Sequence, residues 1–354
     1  MARLGDYVLI KTGKLDANAA SPDGKYPFFT CSVTPLKIDT YSYDCECVLV
    51  AGNGDLNVKY YSGPFDAYQR TYIIESKDKD VLSVPYLFYF LDKYVETLRE
   101  QSIGGVIKYI KLGNLTEAPI PIPSMHTQTE IVATLDKVNN LIALRKQQLA
   151  KLDELVKARF VEMFGDPVLN PRGWNKDALE VNATLLNGKA YQQNELLNSG
   201  KYPVLRVGNF FSNRGWYYSD LELEDDKYCD NGDLLYAWSA SFGPQIWNGG
   251  KVIYHYHIWK VLVGDAYSKQ FLCKLLDYAT ESLMGDTHGI AMMHLTKSGM
   301  EKTEFIVPPL KLQEQFTAFV EQTDKSKLTI HQGLDKLELL KKALMQKYFE
   351  RGYK

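Results

Sequence analysis

The chain has 354 residues, enough for two or three domains with cores of their own. Its 45% hydrophobic and 24% charged residues exclude a disordered or fibrous class. With a formal charge of −2, binding to a polyanion must run through local basic patches or a basic partner.

The N-terminal "MARLGDYVLIKTGK" lacks the apolar core of a signal peptide, and no apolar run reaches membrane-span length. The five cysteines (Cys31, Cys45, Cys47, Cys229, Cys273) show no framework spacing, so a reduced, cytoplasmic protein is expected. In chain order, "CECVLVAG" and "QRTYIIES" read as strands, and 84–101 reads as a helix. The stretch "APIPIP" is a further strand, and "PSMHTQTEI" turns it through proline into a second helix. That helix carries a seam of Ile131, Leu135, Val138, Ile142, Arg145, Leu149, Leu152 and Val156, spaced alternately four and three. It stops at "FGDP", where Gly165 suits the left-handed cap and Pro167 forbids continuation. Next come strands "GDLLYAW", "HIWKVLV" and "TEFIVPP", with a helix over 268–283. A second corner, "VPPLKLQEQF", opens the last helix. Its seam is Phe316, Val320, Thr323, Lys327, Ile330, Leu334, Leu337, Lys341, Leu344 and Tyr348, weakened in the middle by Thr323, Lys327 and Gly333. It ends near Gly352.

The two corners are copies. An offset of 185 lays Pro123 on Pro308, Gln128 on Gln313, Leu149 on Leu334, Leu152 on Leu337 and Phe164 on Phe349 without a gap. Backwards, the same offset matches Gly104 with Gly289 and Ile110 with Leu295. "GKYP" at 24–27 returns at 200–203. The expected fold class is therefore α+β: a tandem repeat of a mixed head domain followed by a long helix, the two helices pairing as an antiparallel coiled coil. Boundaries are drawn at 1–122 for the first head, 123–165 for its helix, 166–307 for the second head and 308–354 for its helix. A two-fold relation would put the heads at opposite ends of a rod of about 60 Å, at 1.5 Å per residue. That length matches about 17 base pairs of DNA.

These strings resemble the specificity subunits of Type I restriction–modification systems. "IPIPSMHTQTEI" and "IVPPLKLQEQF" are similar to that family's proline-to-glutamine entry into each spacer helix. "RFVEMFGDPVLNPRGW" is similar to its passage from first helix to second head, and "GKYPVLRVGNF" resembles the start of many target-recognition domains. Met125-His126-Thr127 departs from the usual first corner. The resemblance implies two target-recognition domains, each reading one half of a bipartite double-stranded DNA target, with the helices setting the gap. It implies docking to methyltransferase (M) subunits and, through them, to endonuclease/translocase (R) subunits. It also implies a non-catalytic chain without cofactors, S-adenosylmethionine, ATP and Mg²⁺ belonging to the partners.

The residues themselves contain no phosphate-loop motif and no methyltransferase Asn/Asp-Pro-Pro-Tyr/Phe motif. An alternative is a DNA-binding nuclease built on Asp66, Glu75 and Lys77, but the second copy has Ile253, Leu262 and Gly264 there. A third reading is a coiled-coil adaptor without a DNA role. Cys45-x-Cys47 and His255-x-His257 lack further ligands at zinc spacing and read as strand residues. Contacts to DNA are sought where basic or amide groups alternate with aromatics near glycine-marked loops. In the first head these are Lys59, Tyr60, Tyr61, Gln69, Arg70, Lys108 and Tyr109. In the second they are Lys189, Tyr191, Gln192, Arg206, Asn209, Asn213, Arg214 and Trp216.

Overall fold

The computed structural model describes residues 1–212, 215–285 and 296–350. Asn213 and Arg214, the repeat partners Gly289 and Leu295, and the expected cap Gly352 lie outside the described residues. The chain divides into two compact units: residues 1–147 with the stretch from His331 onward, and Gln148–Ile330. Each unit joins one head to half of each long helix.

The first head runs β1 (Ala2–Arg3), α1 (Leu4–Tyr7), β2 (Val8–Thr12), β3 (Tyr26–Phe29), β4 (Leu36–Ile38), β5 (Tyr43–Ala51), β6 (Val58–Ala67) and β7 (Thr71–Ser76). Then follow α2 (Val84–Gln101), α3 (Leu112–Thr116), β8 (Pro119–Ile120) and the long helix α4 (Met125–Phe164). The second head has β9 (Lys176–Ala178), α5 (Leu179–Asn182), β10 (Ala183–Asn187), β11 (Tyr202–Leu205), α6 (Val207–Phe211), β12 (Tyr217–Ser219) and β13 (Tyr228–Cys229). It continues through β14 (Leu234–Ser239), β15 (Ser241–Ile246), β16 (Val252–Tyr254), β17 (Ile258–Val263), α7 (Lys269–Gly285), α8 (Lys297–Lys302) and β18 (Glu304–Ile306) to the second long helix, α9 (Leu310–Phe349). The stretch expected as a strand over "APIPIP" shrinks to Pro119–Ile120, because prolines cannot donate to a ladder.

The first head is one six-stranded sheet in the order β2-β7-β5-β6-β3-β4. Side chains alternate between its faces. Val48, Val50 and Ile74 pack under Tyr86, Leu87 and Phe90 of α2, while Cys47, Leu49 and Ile73 share the other face with Phe29 and Phe65. Helix α2 begins where the Ser83 hydroxyl accepts the Tyr86 N–H at 3.3 Å. The second head has the same topology cut into two four-stranded sheets, β10-β17-β14-β15 and β12-β11-β16-β13. Turns carrying Gly232 (φ +87°) and Gly250 (φ +79°) break what are single strands, β5 and β6, in the first head.

The two proline corners are built identically. Gln128 is fully buried: its Oε1 accepts the Ser83 N–H (3.0 Å) and its Nε2 donates to the carbonyls of Val81 (2.8 Å) and Pro123 (3.0 Å). Gln313 is equally buried and takes Ser268 N–H (2.9 Å) and the carbonyls of Ala266 (2.9 Å) and Pro308 (2.8 Å). Every partner is displaced by 185 residues. Each glutamine thus pins the start of a long helix to the cap of its head's own helix.

Within each unit the long helices run antiparallel. In the first, Ile131 and Leu135 share a core with Met345, Tyr348 and Phe349, while Lys146 pairs with Glu338 at 3.2 Å. In the second, Val156, Phe160 and Phe164 pack with Phe316 and Val320, while Lys327 pairs with Asp153 at 2.6 Å. Ile131, Leu135, Val138, Val156, Phe316, Val320 and Leu334 are buried. Ile142, Leu149, Leu152, Ile330, Leu337 and Leu344 are half-buried, and Arg145 is exposed. Thr323 is buried because its hydroxyl donates to the Phe319 carbonyl one turn back (2.9 Å). Gly165 ends α4 at φ +79°, where a Cβ would also meet the Pro171 ring at 2.9 Å. Among the described residues, no helix is long and apolar enough to cross a membrane.

Candidate nucleic-acid interface

Both heads bring two turns together at one rim of the sheet, an edge formed by the ends of central strands rather than by an edge strand. In the first head, β5 ends beside the start of β7, and the Gly52 N–H donates to the Arg70 carbonyl at 2.8 Å. A Cβ on Gly52 would meet that oxygen at 2.3 Å, so only glycine allows the approach. In the second head, the Trp238 N–H donates to the His257 carbonyl at 3.0 Å in the equivalent place. The match extends further: Gln69 N–H donates to Leu15 and Tyr256 N–H to Lys189. Thus Gln69-Arg70 and Tyr256-His257 occupy the same turn. One scaffold position carries an amide and a guanidinium in one head, and a phenol and an imidazole in the other.

Around the first edge, Gln69 and Arg70 are exposed. Lys108 and Tyr109 join them through the β5–β6 loop, since Gly54 N–H donates to the Lys108 carbonyl (2.9 Å) and Asn53 bridges Tyr109. Lys59 donates to Asn57 in that loop, and burial pushes its ammonium below the ordinary lysine range. Tyr61 lies on the same sheet face as Lys59 but packs inward, 5.0 Å from the Phe29 ring. Tyr60 is on the opposite face, toward α2: its hydroxyl donates to Glu46 (2.9 Å) and its ring meets Phe88. The structure therefore separates Tyr60 from the other candidates.

The second edge opens on a cleft of about 1010 Å³ that contains Arg206, Asn209 and Trp216 together with His255, Tyr256 and His257. The Arg206 guanidinium lies 5.1 Å from the Tyr217 ring, which holds it in place without neutralising it. The rings of His255, Tyr256 and His257 lie 4.0–4.7 Å apart by centroid. Burial first, then His257 and Arg206, push the His255 pKa down to about 4, so it is a neutral hydrogen-bonding ring at physiological pH. The opposing hairpin tip places Ala240 at φ +66° on the cleft wall. Lys189 is drawn to Glu195, 3.0 Å from both oxygens, and Tyr191 faces His255 with ring centroids 6.2 Å apart. Gln192 is exposed and caps the turn that presents Glu195.

Residue-by-residue reading missed Tyr256 and His257 as candidates. The signal was present: they stand in the place of Gln69-Arg70, but 187 residues on rather than 185, because the second head is two residues shorter between this turn and its proline corner. The nuclease triad is not assembled. The Asp66 carboxylate is buried and accepts the Ser42 hydroxyl (2.8 Å) and the Ala67 N–H (3.0 Å). Glu75 pairs with Lys11 (2.9 Å), and Lys77 donates to the carbonyls of Gly5 and Asp6. Asp66 faces Phe28 in parallel register as Ile253 faces Val204, so the equivalence of Asp66 and Ile253 holds in three dimensions. Among the described residues, no group of three or more His, Cys, Asp or Glu could hold a metal ion.

The family model described as "Type I restriction modification DNA specificity domain" matches the chain twice, over residues 1–154 and 171–339. The specificity subunit of the Escherichia coli Type I restriction enzyme EcoDI is 38% identical over 154 residues, covering 44% of this chain and 34% of that protein. The chain thus spans about a third of that relative's length. A Haemophilus influenzae protein named as a Type I restriction enzyme specificity subunit is 23% identical over 88% of this chain and 83% of its own. Among solved structures, the Type I restriction–modification S subunit from M. genitalium superposes with a TM-score of 0.62 over 98% of this chain and 95% of that one. At 16% identity, that likeness is one of fold.

Proposed function

Because this chain belongs to the Type I restriction–modification DNA specificity family, we propose that it reads a bipartite DNA target, one half per head. The heads are residues 1–122 and 166–307, and the helices in 123–165 and 308–354 set the gap between the half-sites. The chain docks methyltransferase subunits and, through them, endonuclease subunits; methylation and cleavage are theirs, and this chain contributes recognition.

One observation carries this reading. The same pair of turns is held at the same end of the central strands in both heads, yet bears Gln69-Arg70 in one and Tyr256-His257 in the other. A shared scaffold with different side chains is what two readers of different half-sites require. Arg70 and Arg206 have the donor geometry for guanine, and Asn209 that for adenine. The exposed Lys108 suits a phosphate, whose contacts position without specifying, whereas Lys59 and Lys189 are engaged by Asn57 and Glu195. The separate partners of Asp66, Glu75 and Lys77 favour recognition over nuclease chemistry.

The test is co-expression with the cognate methyltransferase subunit, followed by single-molecule sequencing of methylated adenines. A two-part motif with a fixed gap is expected, and replacing Tyr256-His257 should alter one half alone. An adaptor would leave the methylated motif unchanged after such a replacement, and absence of any two-part motif would overturn the reading.

A further inference from the structure

One exposed feature of the first head is unexplained by its packing. Between α2 and α3 the chain forms a small closed loop. Ile103 and Tyr109 exchange both backbone hydrogen bonds, at 3.0 and 2.9 Å, so residues 104–108 form a tight tip. Gly104 takes φ +119°, and a Cβ there would meet the Ile107 carbonyl oxygen at 2.6 Å, so the shape of the tip depends on glycine. The tip is also tied to the reading edge. Gly54 N–H donates to the Lys108 carbonyl and Ile110 N–H to the Gly52 carbonyl, both at 2.9 Å. Gly52 is the residue that holds Arg70 in place.

This braced tip displays two branched aliphatic side chains to solvent: Val106 is fully exposed and Ile107 is 62% exposed. Adjacent branched aliphatics on a backbone so well fixed have no folding role, since they touch no core. Their surroundings indicate the occupant. From Ser102 to Lys111 the segment holds two lysines and no carboxylate. The nearest acid on the adjoining loop, Asp55, is paired with Arg99 at 3.5 Å. An apolar point set among cations beside an arginine-bearing edge is complementary to a base step flanked by phosphates. Apolar wedges of this kind part stacked bases and kink the duplex.

We propose that the Val106-Ile107 tip is a wedge that enters a base step of the half-site read by the first head, unstacking it while Lys108 holds the neighbouring phosphate. The proposal rests on the DNA-reading function given above. It adds that part of this half-site is read through deformability, favouring a pyrimidine–purine step at the wedge.

The experiment uses the full chain in complex with its methyltransferase subunit and duplexes carrying the methylated motif. 2-Aminopurine is placed at successive positions of each half-site. The unsubstituted complex should raise fluorescence at one step within the first head's half, beyond any rise at the methylated adenine itself, where a methyltransferase flips its base. The double variant Val106→Ser with Ile107→Ser should abolish that step's signal and weaken binding about tenfold or more. The salt dependence should stay unchanged, because no phosphate contact is lost. Both side chains being exposed, its melting temperature should match the parent, which separates a binding effect from misfolding. Unchanged fluorescence and affinity in the double variant would overturn the wedge while leaving sequence-specific binding intact. Loss of methyltransferase co-purification in that variant would also overturn it, placing the tip on a protein partner. If no methylated motif or specific duplex binding exists at all, the underlying DNA reading fails instead.

Discussion

Gln128 and Gln313 hold the same office in their respective heads. Each is a fully buried amide that uses one acceptor and two donors on backbone groups of the head and of its own helix entry. Gln128→Ala should therefore cost about 3 kcal/mol by chemical denaturation, from three lost hydrogen bonds plus the cavity left by the buried side chain. Gln313→Ala should cost a similar amount, and a loss under about 0.5 kcal/mol in either, the usual range of a surface substitution, would contradict the assigned role. His255 makes a different kind of prediction. Its folded-state pKa of about 4 lies below the ordinary 6.5, so the unfolded chain binds more protons between those values. Stability contributed by neutral His255 is thus present above about pH 6.5 and lost as pH falls toward 4. In His255→Gln, the fall in urea midpoint between pH 7 and pH 5 should be smaller than in the parent. An equal fall would mean that His255 titrates as a free histidine.

At the scale of elements, the long helices show how polar residues enter an apolar seam without breaking it. Lys327 reaches out to Asp153, and Thr323 satisfies its own hydroxyl one turn back. The helical stripe was legible in the sequence because its period depends only on which side chains avoid water. Helix α2 was equally legible, since Ser83 caps it and the apolar face from Val84 to Leu98 is continuous. The division of β5 and β6 into shorter strands in the second head was not, because "DNGD" and "NGG" read as turns without saying which strand they interrupt. If the helices act as spacers, a heptad inserted in both should lengthen the unmethylated gap of the target and leave both half-sites unchanged. Sequencing of methylated adenines reads this directly, and an altered half-site would argue against a spacer role.

For the molecule as a whole, the sequence by itself determined the duplication, the two head-plus-helix units and the family. Those follow from local patterns and from an ungapped register in which Pro123 and Pro308, or Gln128 and Gln313, match without reference to distant contacts. Tertiary structure decided which side chains share a surface. Tyr60 and Tyr61 are neighbours in sequence but lie on opposite faces of a sheet. Gln69-Arg70 and Tyr256-His257 are equivalent only because each turn pairs with the corresponding strand of its own head, β5 in the first and β14 in the second. A site of this kind is a meeting of loops, and loop meetings are set by strand register and hydrogen bonding across the sheet. Neither is written in the spacing of residues along the chain.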